Sequence, residues 1–265
     1  MSKPLALGIV GCEVMEDEIS HLVGRDMDVV NVLLIDATGS NRMEQKILGI
    51  DPNKNVLSVN CPDVLPELDL RQGLSVLIWL KPIELHQSPP LLREQVHSAI
   101  KCMEPHVKSF IMFYGQCGYA FRNVEKVLED VHVPVTLLKG SNDMLVDDCT
   151  GSLLGGSEEY RQFLIGQQGA YVLNTMWAAN WKEFMKDIQM LRDPEDVSEI
   201  KEVFQYMDYR VVVGLDTGLV ESSVFNRQLE EFANLFGMKI QRFPCSLSVV
   251  ERCYQEAKGK LSLPD

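Results

Sequence analysis

The sequence lacks any apolar run approaching the roughly 20 residues that a membrane span needs. Its start, MSKPLALGIVGC, has too short an apolar stretch and no cleavage region for a signal peptide. Positive charge is scarce, because 25 Lys and Arg stand against 38 Asp and Glu, which gives a net charge of −13. Such a charge repels nucleic-acid phosphates and anionic lipids. We therefore expect a cytoplasmic globular protein that binds neither nucleic acid nor membranes.

Several cofactor and catalytic motifs are missing as well. The sequence has no P-loop, no GxGxxG between a strand and a helix, and no GxSxG nucleophile motif. No CxxC pair occurs among the seven cysteines, which disfavours zinc ribbons and thioredoxin-type centres. The cysteines are odd in number and scattered, unlike the disulfide framework of a small secreted domain. We expect reduced thiols.

Short apolar runs rich in β-branched residues alternate with longer segments of helical periodicity. Continuous apolar strands imply burial on both faces, as in a parallel sheet covered by helices. The sequence therefore predicts an α/β fold, with a largely parallel sheet or sheets, flanking helices and a Rossmann-like arrangement. The predicted strands span 5–10, 29–35, 55–59, 75–80, 109–114, 133–138, 170–174, 210–215 and 238–242.

Two domain organisations are compatible with this pattern. A boundary near Pro105, after the helix predicted to end at Met103, gives an N-terminal α/β lobe over 1–104 and a C-terminal α/β lobe over 105–265. A cleft would then lie between the lobes. A single wide sheet is a close alternative.

Three of the seven cysteines occupy the same type of position, after a predicted strand and before a helical segment: Cys12, Cys117 and Cys149. Ligands bind beyond the carboxyl ends of the strands in open α/β sheets, where loops gather and helix N-termini point. A thiol at a helix N-terminus is easier to ionise, and the thiolate is both nucleophile and metal ligand. The other four cysteines are assigned to packing or surface: Cys61, Cys102, Cys245 and Cys253.

If the three loops converge, they offer three thiolates to one ligand. Soft sulfur ligands favour zinc, iron–sulfur clusters or copper(I). Three protein ligands leave one position for water or substrate, as in a catalytic metal site. Cys12, Cys117 and Cys149 are therefore the predicted metal ligands.

Carboxylates, glycines and histidines supply the remaining candidates. Glu18 and Asp148 are predicted as ligands or proton carriers, against the alternative of helix capping. Gly115, Gly118 and Gly155 would permit positive φ or close backbone approach to a bound cofactor. His86 and His97 are the best additional ligands among the histidines, although a solvated position is the simpler interpretation of each.

Three segments together resemble one protein family: LGIVGCEVMEDEI at 7–19, FYGQCGYAF at 113–121 and DCTGSLLGGSEEY at 148–160. The family is the archaeal and bacterial domain of unknown function 1638, and the resemblance extends over much of 7–218. Glu16 and Glu18 match its acidic positions, and Tyr160 matches its final aromatic, which places Tyr160 with the cofactor-binding residues. The resemblance implies no established activity. It associates the chain with corrinoid-dependent methyl transfer in anaerobes, and so with one-carbon metabolism.

Three hypotheses follow. The first is a zinc, iron or iron–sulfur site that acts on a small molecule, in the context of a corrinoid methyltransferase system. The second is a non-enzymatic carrier of a metal or cofactor for such a methyltransferase; direct corrinoid binding is its weaker form, because no DxHxxG motif is present. The third is metal-free thiol redox chemistry, in which one thiolate attacks and another resolves.

Overall fold

The computed structural model describes residues 6–35, 40–63 and 70–262. Within these residues, every predicted strand is present, and its ends lie within two residues of the prediction. Position 5 of the first prediction lies outside the described residues. The strands are β1 (Ala6–Cys12), β2 (Val29–Ile35), β3 (Asn55–Val59), β4 (Leu74–Lys81), β5 (Ser109–Phe113), β6 (Val135–Leu137), β7 (Ala170–Leu173), β8 (Val211–Asp216) and β9 (Lys239–Pro244).

The helices alternate with the strands along the chain. They are α1 (Glu16–Arg25), α2 (Ser40–Ile50), α3 (Pro89–Met103), α4 (Val124–Val127), α5 (Cys149–Leu154), α6 (Ser157–Gly166), α7 (Thr175–Asp187), α8 (Ser198–Tyr206), α9 (Ser222–Phe236) and α10 (Ser248–Gly259). Among the described residues, no helix has both the length and the apolar character needed to cross a membrane.

The strands form two sheets, and every strand pair in both is parallel. The larger sheet has the order β3-β2-β4-β1-β5-β6, and the smaller has the order β7-β8-β9. The predicted α/β class with parallel sheets and flanking helices is confirmed. Because β1, β5 and β6 are consecutive neighbours, their carboxyl ends lie side by side at one edge.

Helices cover both faces of the six-stranded sheet, which explains why its strands are apolar throughout. Along β1, Leu7 and Ile9 point into a core that includes side chains of α1 and α10. Ala6, Val10 and Cys12 point into a second core on the opposite face, with side chains of α3. The period of two along a strand thus sends alternate residues to opposite cores, and it places Cys12 on the α3 face.

The predicted boundary at 104/105 falls within the six-stranded sheet, between β4 and β5. The strands of the second sheet begin only at β7, and they have their own aromatic core around Trp181 and Phe232. After β9, helix α10 returns to pack on β5 and β6. The division into lobes at that position stays a prediction.

Candidate functional site: a cavity lined by three cysteines

The three cysteines predicted to converge line a single cavity of about 320 Å³, which we call the cysteine cavity. Cys12 is the last residue of β1, Cys117 lies in the loop after β5, and Cys149 is the first residue of α5, which follows β6. Each thiol therefore sits beyond the carboxyl end of one of three adjacent parallel strands. This sheet edge is where ligands bind in open α/β folds.

The loop that carries Cys117 is fixed directly to the segment that precedes Cys149. The backbone N–H of Gln116 donates to the carbonyl of Val146 at 2.8 Å, and that of Cys117 donates to the carbonyl of Asp147 at 2.9 Å. A Cβ at Gly115 would lie 2.4 Å from the Val146 carbonyl oxygen. Gly115 therefore permits the close approach of two protein backbones, and this approach brings two of the thiols to one cavity.

The same loop has an unusual backbone. Cys117, Gly118 and Tyr119 are consecutive residues with positive φ, at 44°, 59° and 73°. The left-handed region is uncommon for residues other than glycine, and such residues cluster at functional sites. Gly118 lines the cysteine cavity, and a Cβ there would meet nothing within 4 Å. Its absent side chain keeps this side of the cavity open.

Asp148 holds Cys149 in place as the N-cap of α5. Its side chain accepts a hydrogen bond of 2.9 Å from the backbone N–H of Gly151, and the Tyr160 hydroxyl donates to the same carboxylate. Burial nevertheless raises the pKa of Asp148. Gly155 ends α5 with a φ of 105°. Asp148 is one of the described residues that line the cysteine cavity. Tyr160 and Gly155 are not in that lining, so they support α5 without contacting the cavity.

Burial raises the pKa of all three thiols. The pKa of Cys117 rises to about 12. That of Cys12 rises further, through burial and then the proximity of Cys117, and that of Cys149 rises well above its ordinary value through burial and then Asp148. The sequence predicts that helix N-termini favour ionisation of these thiols. Loss of solvation has the larger effect here, and it raises their pKa values. Without a bound cation, all three thiols are protonated at neutral pH.

His86, Tyr114 and Trp177 are also among the side chains that line the cavity. Nδ1 of His86 lies 3.1 Å from the carbonyl oxygen of Ile83, and burial lowers the pKa of the imidazole. His86 is thus neutral near pH 7, and when Nδ1 donates to Ile83, Nε2 is left as a lone-pair donor for a metal. The other candidate histidine, His97, is instead hydrogen-bonded to Asp130 at 2.7 Å.

Sequence reasoning missed Tyr114 and Trp177 as parts of the site. Tyr114 is buried, and its hydroxyl has no hydrogen-bond partner among the described residues. Burial, and then the proximity of Cys12 and Cys117, raise its pKa well above the ordinary value, so it remains a neutral O–H donor. In the sequence, the position of Tyr114 at the end of an apolar run, two residues before Gln116, could have indicated that it belongs to the site.

Trp177 reaches the cavity because the start of α7 is anchored to the turn after Cys12. The Asn174 side chain donates to the carbonyl of Val14 at 3.1 Å and accepts from the backbone N–H of Trp177 at 2.8 Å. The Thr175 hydroxyl donates to the carboxylate of Asp17 on α1. A helix that follows the first strand of the second sheet thereby supplies one wall of a site built on the first sheet.

Glu18 is fully buried on α1 and lies near Cys149 rather than in the lining of the cavity. Neither of its carboxylate oxygens has a hydrogen-bond partner in another described residue. Burial, followed by the proximity of Asp17, raises its pKa to about 8. It therefore carries a proton at neutral pH. Its negative form would also raise the pKa of Cys245, which shares this neighbourhood.

The thiols share the cavity without forming a ready coordination shell. Among the residues that the structure describes, no group of three or more His, Cys, Asp or Glu side chains is arranged so that it could hold a metal ion. The seven cysteines are all free. Coordination at this place would require the thiol side chains to rotate toward one another.

Comparison with known proteins gives one match. The model of a family described as "Protein of unknown function (DUF1638)" matches residues 80–254, which include Cys117 and Cys149, whereas Cys12 precedes the matched range. No curated protein and no solved structure matches the chain.

Proposed function

The chain belongs to the DUF1638 family, and we propose that it binds a metal ion or an iron–sulfur cluster through Cys12, Cys117 and Cys149 and acts with it on a small molecule. The observation that carries the proposal is the meeting of these cysteines in one cavity. They come from distant parts of the chain, and each follows a different strand of one parallel sheet.

The charges around the cavity support a cationic ligand. Among the described residues that line it, none is Lys or Arg, whereas Asp148 and three thiols are acidic groups. Ionising buried thiols without a nearby cation is unfavourable, as their raised pKa values indicate. A bound metal supplies the missing positive charge and releases the thiol protons. This argues against the metal-free alternative, which needs a free thiolate as nucleophile.

The cavity also suits a small substrate beside the metal. Three cysteine ligands leave a coordination position free, and His86 provides a neutral nitrogen donor next to it. The unpartnered hydroxyl of Tyr114 can donate to a bound oxygen or sulfur. A volume of about 320 Å³ is at the lower end for ligand sites. A corrinoid partner in one-carbon metabolism, which remains part of the proposal, would have to approach from outside.

The chemistry then depends on the metal. Zinc would polarise a substrate oxygen or activate water, and a cluster with one iron free would bind substrate oxygens as a Lewis acid. In this proposal Glu18, which lies near Cys149 and has a pKa of about 8, is the candidate proton carrier of the site.

Anaerobic purification followed by elemental analysis and an absorption spectrum tests the proposal. We expect stoichiometric zinc without colour, or iron with visible absorption. Cys117→Ser should lose the metal, whereas Cys102→Ser, a partly exposed position on α3, should retain it. Equal loss from both variants would contradict the assignment. Metal-free protein that forms a reversible disulfide would instead select thiol redox chemistry.

A further inference from the structure

A second cavity, of about 450 Å³, lies beside the Cys117 loop and is lined by positive side chains, so we call it the basic cavity. Arg93, Arg122 and Lys126 line it, together with Tyr119 and Asn123. Among the described residues in its lining, none is acidic. In a chain of net charge −13, this cavity thus has three cations in its lining, although Arg93 and Lys126 also line an adjoining cavity with Glu94, Glu129 and Asp130.

These cations are largely free to bind a ligand. Within the described ranges, the side chains of Arg122 and Lys126 form no hydrogen bond or ion pair, whereas Arg161 and Arg210 are paired with Glu158 and Asp208. The Arg122 guanidinium lies 5.5 Å from the centroid of the Tyr119 ring.

The third cation, Arg93, has one hydrogen bond to the residues that the structure describes. Nε of Arg93 donates to the carbonyl of Ala120 at 2.9 Å, which leaves the terminal nitrogens of its guanidinium. The ring of Tyr119 is 69% exposed, so it offers a flat apolar surface beside the three charges.

One loop forms a wall of both cavities. Gly118 lines the cysteine cavity, and the next two residues, Tyr119 and Ala120, line the basic cavity. The positive φ angles of Cys117, Gly118 and Tyr119 turn the chain between the two. The two cavities are therefore neighbours across this loop.

We infer that the basic cavity binds the phosphate group of a small molecule and is the anchoring part of the substrate site. Two guanidinium groups and one ammonium match a tetrahedral dianion, because arginine presents paired N–H donors to its oxygens. The exposed ring of Tyr119 can pack on the apolar part of the same molecule. The inference rests on the proposed function only in placing the reacting end of this molecule at the cysteine cavity.

Calorimetric titration with inorganic pyrophosphate tests the anion site directly. The wild-type protein should show saturable binding. Arg122→Gln combined with Lys126→Gln should weaken it about a hundredfold, at about tenfold per cation, which is about 1.4 kcal/mol each. Arg192→Gln, at an 89% exposed side chain in the connection between α7 and α8, should bind as the wild type does.

Metal content measured on the same preparations separates this inference from the proposed function. A double variant that loses pyrophosphate binding and keeps its metal supports the inference. Absence of saturable binding to the wild type, equal binding by the double variant, or binding of a polyglutamate peptide without pyrophosphate would each overturn it, whatever the metal content. Pyrophosphate binding by a protein that never holds metal would support the anion site while the proposed function fails.

Discussion

At the scale of single residues, the carboxyl of Glu18 and the hydroxyl of Tyr114 are buried near the thiols and have no hydrogen-bond partner in another residue that the structure describes. A buried polar group left unsatisfied costs roughly 1–3 kcal/mol, so native proteins retain few of them. Cys12 and Cys117 help to raise the pKa of Tyr114, and Glu18 helps to raise the pKa of Cys149. Their unused bonding capacity is consistent with a ligand that completes the site.

Glu18→Gln should change how stability depends on pH in the metal-free protein. The folded-state pKa of Glu18 is about 8, above its ordinary value of 4.5. Between these two pH values the folded chain holds a proton on Glu18 that the unfolded chain releases. The contribution of this proton to the free energy of unfolding is therefore complete below about pH 4.5 and is lost as the pH rises through 8. In the variant we expect the free energy of unfolding no longer to decrease with pH in this way. The decrease that is lost is at most about 1.4 kcal/mol per pH unit.

Urea unfolding at intervals from pH 5 to 9 measures this slope. Glu230→Gln, at an exposed position on α9, is the matched control and should keep the wild-type slope. A Glu18→Gln profile parallel to the wild type would show that Glu18 is already ionised in the folded protein.

At the scale of elements, the docking of the β5–α4 loop on the segment before α5 decides whether two thiols meet. Gly115→Ala places a Cβ 2.4 Å from the Val146 carbonyl oxygen and 2.7 Å from the Asp148 backbone nitrogen. Both neighbours are backbone, so the two segments must separate. We expect a loss of about 1–3 kcal/mol in the free energy of unfolding, as in overpacked sites, together with reduced metal content.

Chemical denaturation and elemental analysis measure the two effects of Gly115→Ala. Gly49→Ala on α2 is the control, because a Cβ there meets nothing within 4 Å. It should leave metal content unchanged and stabilise the helix by about 0.5–1 kcal/mol. Full metal occupancy in Gly115→Ala would mean that the close approach of the two segments is not needed for the site.

The strands and the meeting place of the cysteines could be predicted because both follow from local patterns. Apolar β-branched runs such as 29–35 and 109–113 identify strands buried on both faces, and parallel strands share one carboxyl edge. The rise in the thiol pKa values could not be predicted, because burial depends on the complete fold. The contribution of Trp177 also escaped prediction, since it depends on Asn174 bonding to Val14, a residue of a distant loop.

At the scale of the whole molecule, a metal bound to Cys12, Cys117 and Cys149 would join three loops of the larger sheet. Removing it with a chelator under anaerobic conditions should lower the free energy of unfolding by about 4 kcal/mol when the free metal had been at about 1,000 times its Kd. Differential scanning calorimetry before and after chelation measures the change. Cys117→Ser should show no response to the chelator, whereas an unchanged wild-type transition would argue against a tightly bound metal.

The central position of β1 has a consequence for how the protein is made. β1 is synthesised before the other strands of its sheet, yet its neighbours are β4 and β5, which begin only at Leu74 and Ser109. Its apolar run, ALGIVGC, therefore remains unpaired until β4 and β5 have been synthesised, after β2 and β3. Unpaired apolar segments of this kind favour misassembly during translation. We therefore expect this strand order to slow refolding from denaturant, because β1 pairs only with strands that are distant in the sequence.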